Sequence, residues 1–467
     1  MMRADDRAAS AAKGPVSAPV APAALAPASA PGRIRLRVRQ QWVSLRDDGL
    51  VKNSFYLLAA TATQGVLGMA FWLLCARLFP ATQVGEATAL ISASTLLAYS
   101  SLLGFNSSLI RYLPKAESPE GWMNNGLVLC TSVSLVFGAG YVLVLPSIAG
   151  RLAFVRHSPI EAIGFVGFVA MTALVLLTDA VFIARRQAKY NLLVDGVIQG
   201  GTKLVLPLVL VSAGAFGIFA ATGFASALDV VVSLLLIIWV FGYRPRLRMN
   251  FAVIKQATGF SLANYGANLL NLVPTLVLPI AVIDELGTKP AAYYYIAFSV
   301  ANLLNAIAYS TCQALFAEGS YDDTDRRALV RRSARLLAGA SVPAGALVAL
   351  LAPVTLPVFG AQYGQHATST LVVLALGLVG VSACTWSITL LRVTKQLRAL
   401  ILASVAYAVV MCGLAVWWTR WGLVYVGLAW DIGNLVTAVI AGVALWTKRD
   451  RLGWPKPVRG PVPASKR

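Results

Sequence analysis

The sequence predicts an all-α polytopic membrane protein of about 12 transmembrane helices, arranged as two six-helix lobes related by a parallel repeat around a central cavity. Three observations carry this expectation. Of the 467 residues, 58% are hydrophobic and 12% charged, with a mean hydropathy of +0.72, which a soluble chain of this length does not sustain. Apolar runs of roughly the 20 residues that a bilayer crossing requires recur along the chain. Polar features in the two halves also match at a constant interval.

Residues 1–53 open Ala/Pro-rich and then turn basic in GRIRLRVRQ. Asp5 and Asp6 near the start and the lack of an uninterrupted apolar stretch make a poor signal peptide, so a disordered basic cytoplasmic tail is expected. Arg33, Arg35, Arg37 and Arg39 either touch anionic headgroups or simply hold this end inside. Six apolar segments follow, at 54–76, 87–110, 126–150, 162–184, 192–213 and 216–243, and form the expected N-lobe, 54–243. A cytoplasmic linker is expected at 244–259. The C-lobe, 260–446, holds segments 260–282, 291–317, 336–359, 369–391, 399–419 and 422–446, and 447–467 is a second basic cytoplasmic tail.

Threading these segments with the N-terminus inside puts RYLPK, RRQAK, RPRLR, DRRALVRRSAR, RVTKQLR and TKRDR on the cytoplasmic side. Of 39 Lys and Arg, five (Arg77, Arg151, Arg156, Lys289 and Arg420) fall on the other side and Lys203 falls inside a segment, which leaves 33 inside. That bias is the positive-inside pattern, with both termini cytoplasmic. It also accounts for the net charge of +20 without a nucleic-acid partner. The five cysteines lie in apolar runs without CxxC spacing, and His157 and His366 stand alone in loops. No disulfide framework, metal site or other cofactor is expected.

The repeat interval is 207 residues. RRQAKYNLLV from Arg185 is patterned like RVTKQLRALI from Arg392, and Ser54, Thr61 and Gln64 match Ser261, Asn268 and Asn271. Six crossings per half make the halves parallel, with a binding site expected where they meet. Ser261, Asn264, Asn268 and Asn271 fall on one helical face, as do Ser299, Asn302 and Asn305. Amides are costly against lipid, so these stripes either bond between helices or line a wet cavity.

The stretch YYYIAFSVANLLNAIAYSTCQALFAEGS resembles the eighth-helix signature of polysaccharide-type lipid-linked oligosaccharide flippases, in the multidrug/oligosaccharidyl-lipid/polysaccharide exporter superfamily. ARLFPATQVGEATALISASTLLAYSSLLGFNSSLIRYLP is similar to that family's N-terminal block. LPVFGAQYGQHATSTLVVLALG and LLRVTKQLRALI are similar to its C-terminal one. The resemblance spans about 52–449 and implies a twelve-helix flippase with a central cavity. It implies a polyprenyl-pyrophosphate-linked oligosaccharide as substrate, carried across the cytoplasmic membrane for cell-surface polysaccharide synthesis. Membrane lipids, and the glycan polymerase and glycosyltransferases of such a route, are the partners it implies.

A diphosphate leaving water needs cations. Lys203, with Asp195 and Gln199 preceding it at intervals of four, either meets the diphosphate or pairs with Asp229 or Asp431. Arg111 and Arg392 close the second and tenth segments, where each either catches the headgroup or anchors its helix. Gln64, Asn264, Asn268, Asn271 and Asn302 complete the expected cavity lining. Glu318 matches Arg111 at the 207 interval, which places an Arg111–Glu318 gate among the readings. Asp179, Asp229 and Asp431 are candidate ion-coupling groups or hydrogen-bonded structural acids. Tyr293, Tyr294 and Tyr295 are read as interfacial anchors by default, with sugar stacking as the second reading.

Three other classes fit less well. A multidrug antiporter of the same superfamily usually carries a carboxylate in its first helix, and 54–76 has none. A major-facilitator carrier lacks its GxxxD loop here. A membrane enzyme would need a larger outer domain, and no nucleotide-binding loop appears, so a non-enzymatic exporter is expected.

Overall fold

Proline or glycine stands at the start of many of the helices, while other prolines, such as Pro146, Pro207, Pro274 and Pro343, lie inside them. The computed structural model describes residues 49–148, 150–244, 251–319, 326–394 and 396–447. Both terminal tails, with Arg33, Arg35, Arg37 and Arg39, lie outside the described residues. So do the side chains of Ser54, Ser261, Asn264, Asn268 and Glu318. Among the described residues there is no β-strand.

In chain order the principal helices are α1 (Gly49–Leu78), α2 (Ala81–Ser101), α3 (Phe105–Tyr112), α4 (Pro119–Ile148), α5 (Pro159–Ala184), α6 (Lys189–Val209) and α7 (Gly214–Phe241). The second half holds α8 (Phe251–Glu285), α9 (Thr288–Gly319), α10 (Arg326–Thr355), α11 (Ala361–Leu376), α12 (Leu378–Val393), α13 (Leu397–Trp418) and α14 (Leu423–Thr447). Eight described helices are long and apolar enough to cross a membrane. The bent pairs α2/α3 (50°) and α11/α12 (41°) raise the number to ten. Helices α8 and α9, of 35 and 32 residues, carry the seventh and eighth expected segments.

Helix ends follow local chemistry. Pro80 and Ser158 precede α2 and α5, and Pro159 takes the first turn of α5, where its missing N–H costs nothing. Helix α5 closes with Arg186 in a left-handed conformation (φ 56°), while Arg186 N–H donates to Ile183 O and Gln187 N–H to Phe182 O. This is a Schellman cap made without glycine. The α2/α3 bend falls at Leu103 (φ 49°) and Gly104 (φ 79°). Helix α8 starts at Phe251, inside the stretch expected to be linker, where FAVIKQATGF has no proline to interrupt it.

The 207-residue interval recurs in the helix starts. The starts of α2 and α9, at 81 and 288, and of α4 and α10, at 119 and 326, both differ by 207. Within the first half α5 packs on α2, α4 and α7; within the second, α14 packs on α11, α12 and α13. The halves meet chiefly where α2 lies along α9 and α8. Small residues permit the closest approaches, as membrane packing demands. Gly196 and Gly200, four apart on α6, receive Thr63 and Leu67 of α1.

At the end of the bundle where α1 finishes and α9 begins, the halves are joined tightly. Arg77 at the end of α1 donates through Nε and Nη2 to the Val358 carbonyl, at 2.9 and 2.5 Å. Trp72 packs on Tyr295 with ring centroids 4.7 Å apart, and Tyr293 stacks on His366. Tyr293 and Tyr294 are therefore buried in helix packing. They do not sit as interfacial anchors, because small residues of α2 draw the first turns of α9 inward. At the other end Tyr265 of α8 donates to the Tyr99 carbonyl.

The α11/α12 bend has its own close contact. A Cβ at Gly377 would lie 1.7 Å from Asp431 Oδ1, so the Asp431 carboxylate fills the space a side chain would need beside the first turn of α12. Gly377→Ala should therefore lower thermal stability in detergent by the equivalent of about 1–3 kcal/mol. An unchanged melting temperature would show that this contact yields without cost.

Candidate functional site

Two polar assemblies stand inside the apolar bundle, one in each half. The first is built by α5, α6 and α7. Its centre is an eight-residue π-helical stretch, Leu192–Gln199, whose wider turn shifts Asp195 and Gln199 out of ordinary 3.6-residue register. Asp195 lies near Asp179 of α5 and Asp229 of α7, close enough for the three carboxyl groups to interact. Asn191 Nδ2 donates to Asp179 Oδ1 at 3.1 Å and to Asp195 Oδ2 at 3.5 Å, and Ser233 Oγ donates to Asp229 Oδ1 at 3.3 Å. Asp195 and Asp229 are buried, and Asp179 is half-buried.

Ionised carboxylates carry acceptors only, so carboxyl groups in contact must hold a proton or a cation between them. The nearest amine is Lys203, one turn beyond Gln199. Its Nζ donates to Gln199 Oε1 at 3.0 Å and interacts electrostatically with Asp229 and Asp195. Gln199 Nε2 in turn donates to Ser226 Oγ at 3.5 Å. Asp431 belongs to the other half, beside Gly377. Among the described residues no three His, Cys, Asp or Glu side chains converge in a metal-binding arrangement.

The second assembly is a cavity of about 300 Å³ between α8, α9, α12, α13 and α14. Asn271, Asn434, Thr385 and Thr389 supply its hydrogen-bonding surface, and Tyr309, Tyr407 and Trp430 its aromatic walls. Asn271 Nδ2 donates to Ser404 Oγ at 3.0 Å, which ties α8 to α13. Cys312 and Cys384 also face the space. Arg392, at the last turn of α12, lines the cavity and is exposed, so it stands at the opening. The mixture of amides, hydroxyls, aromatic faces and one guanidinium suits a polar, anionic, sugar-like ligand.

The sequence candidates thus divide. Arg392 and Asn271 meet in the cavity. Asp179 and Asp229 meet in the carboxyl cluster with Lys203. Gln64 and Asn302 are exposed, each one residue from the place where α1 and α9 approach at Gly65 and Leu303. Asn302 accepts a hydrogen bond from Asn305 Nδ2 at 2.8 Å. Arg111 is exposed on α3, 5.4 Å from the centroid of the Tyr112 ring. The Glu318 half of the Arg111–Glu318 reading lies outside the described side chains. Sequence reasoning missed Asn191 and the aromatic cavity walls. It placed Asp195 in a stripe with Lys203 without seeing that α5 and α7 bring two more carboxyls to it.

Comparison with known proteins adds the family. A model described as "Polysaccharide biosynthesis protein" matches residues 74–368. No curated protein matches the sequence. Among solved structures, the inward-facing conformation of a multidrug resistance MATE family transporter of the MOP superfamily superposes with a TM-score of 0.66 at 16% identity, covering 85% of this chain and 99% of that one. An outward-facing MATE structure gives 0.60 at 17% identity, covering 87% and 96%. A MOP superfamily transporter from Pyrococcus furiosus, described as having a binding pocket of reverse polarity, gives 0.56 at 17%, with the same coverage.

Proposed function

Because the chain belongs to the polysaccharide biosynthesis protein family, and folds as MATE structures do, we propose that it exports a polyprenyl-pyrophosphate-linked oligosaccharide by alternating access of its two halves. The observation that carries this reading is the C-half cavity with Arg392 at its opening. A guanidinium matches a phosphate oxygen pair in geometry and charge, and amides and aromatic faces behind it match sugar hydroxyls and ring faces. Under the positive-inside threading this opening faces the cytoplasm, where lipid-linked glycans are assembled. The contacts at Gly85, Arg77 and Trp72 close the opposite end.

The carboxyl cluster of the first half supplies the coupling. A proton or small cation bridging Asp179, Asp195 and Asp229 changes the charge against which Lys203 is balanced, and so biases which end is open. Export then needs no catalytic residue. Membrane lipids surround the protein, and polymerase and glycosyltransferases of the same route are its expected neighbours.

Purified protein in liposomes with a fluorescent polyprenyl-diphosphate oligosaccharide tests the reading by accessibility of the label from outside. Protein-dependent movement is expected, reduced about tenfold or more by Arg392→Gln, since a charge-assisted hydrogen bond contributes ~1.5–3 kcal/mol. A second reading, a multidrug antiporter, draws on the MATE structures alone. Efflux of small cationic dyes without movement of the lipid would select it.

A further inference from the structure

On the other face of α12 from the cavity lies a second recess, a groove of about 210 Å³ between α10 and α12. We propose that this groove holds the isoprenoid tail of the lipid-linked substrate while its diphosphate rests on Arg331 and Arg335, a loading site on the flank of the second half. The inference rests on the substrate class proposed above and adds where that lipid docks.

The groove is apolar by construction. Ala334, Ala338 and Ala383 line it, and the hydroxyls it contains bond to one another. Ser341 and Ser382 share a hydrogen bond of 2.7 Å, and Trp386 Nε1 donates to Ser333 Oγ at 3.0 Å. A ligand lying there is asked for no hydrogen bond. Val379 in its wall and the flanking Leu336 and Val342 are exposed, as side chains against lipid are. Ala334 and Ala338, one turn apart, leave recesses at about the helical pitch of ~5.4 Å. A chain bearing one methyl branch every four carbons repeats on about that scale, and a straight acyl chain has nothing to place in them.

Charge marks one end of the groove. Arg331, Ala334, Ala338 and Ser341 follow steps of three, four and three, so they form one stripe along α10. The stripe therefore runs from a guanidinium near the start of α10 to the apolar interior. Arg335 is one turn from Arg331, donates to its carbonyl at 3.4 Å, and is likewise exposed. Two guanidiniums one turn apart suit two linked phosphates. Inside a bilayer an apolar groove gains no hydrophobic driving force over surrounding lipid. The arginines thus supply affinity, and the recesses supply selection among tails through packing.

Position links the groove to transport. Cys312 faces the cavity and also packs with Leu337 and Trp386, which line the groove. One layer of side chains separates the two spaces. A lipid docked by its tail on α10 has its glycan within reach of Arg392, at the same end of α12.

Photo-crosslinking decides the matter. Full-length protein in nanodiscs is irradiated with a diazirine-labelled polyprenyl diphosphate, and adducts are mapped by mass spectrometry. Adducts are expected within 334–341 and 379–386, competed by unlabelled polyprenyl diphosphate and not by phosphatidylglycerol. Ala338→Phe, which fills the groove, should cut them roughly fivefold. Arg331→Gln with Arg335→Gln should cut them roughly tenfold. Val342→Phe, beside the groove, should change neither and controls for folding. Equal competition by phosphatidylglycerol, or adducts indifferent to Ala338→Phe, overturns the proposal. Glycan-lipid movement by wild type that Ala338→Phe leaves intact would overturn the loading site and keep the exporter. Lack of movement by wild type would strike the exporter itself, while the adduct map still decides the groove.

Discussion

Lys203→Gln should reduce transport of the lipid-linked glycan at least tenfold while leaving protein amount and folding intact. Glutamine keeps most of the stem and can still donate to Gln199 Oε1, so the local hydrogen bond that Lys203 makes at 3.0 Å has a replacement. What disappears is the positive charge that interacts with Asp195 and Asp229. Half-buried in the structure, this charge is expected to bias the equilibrium between the two end states by ~1.4–3 kcal/mol, the ordinary size of a coupling between sites. That corresponds to a change of roughly ten- to a hundredfold. Lys203→Arg, which keeps the charge, should retain most of the activity. Initial rates of label movement in liposomes, normalised to reconstituted protein, make the comparison. A glutamine variant at half the wild-type rate or more would remove Lys203 from the mechanism and leave it a packing residue.

Gly85→Ala should spring the far end of the molecule open. A Cβ there would lie 1.8 Å from the Thr288 carbonyl oxygen and 3.2 Å from the Ala292 nitrogen. Both are backbone atoms of α9, so no side chain can swing aside, and α2 and α9 must separate by roughly 1.5 Å. Overpacking of this kind costs ~1–3 kcal/mol, enough to move a two-state equilibrium roughly ten- to a hundredfold toward states open at this end. Spin labels on the turns at 79–80 and 286–287 should report a longer distance, and transport should fall because the closed state is depopulated. Unchanged label distances with normal transport would show that this contact is not a gate.

These two residues were unequally visible. Lys203 is conspicuous as the one Lys or Arg inside an apolar segment, since a charge in hydrocarbon is costly and so draws attention. Gly85 is one of 38 glycines, and its importance comes from a carbonyl 203 positions further on, which no local pattern announces. The same holds for the carboxyls. Asp179 and Asp229 read as separate acids in separate segments, and their meeting at Asp195 depends on the π-helical stretch that turns Asp195 toward both.

The sequence by itself determined the class of the fold, the order of its apolar segments and the 207-residue interval between them. Those properties are additive along the chain: transfer of each segment into lipid depends on its own composition, and loop charge on its own residues. Only the tertiary structure decided which polar groups share an enclosure. It put Arg392 and Asn271 into one cavity, Asp179, Asp195 and Asp229 into one cluster, and Asp431 apart from both Lys203 and that cluster. The reason is geometric. Helix packing in a membrane is set by close fit of small residues and by hydrogen bonds between distant segments, and these depend on pairs of positions rather than on single ones.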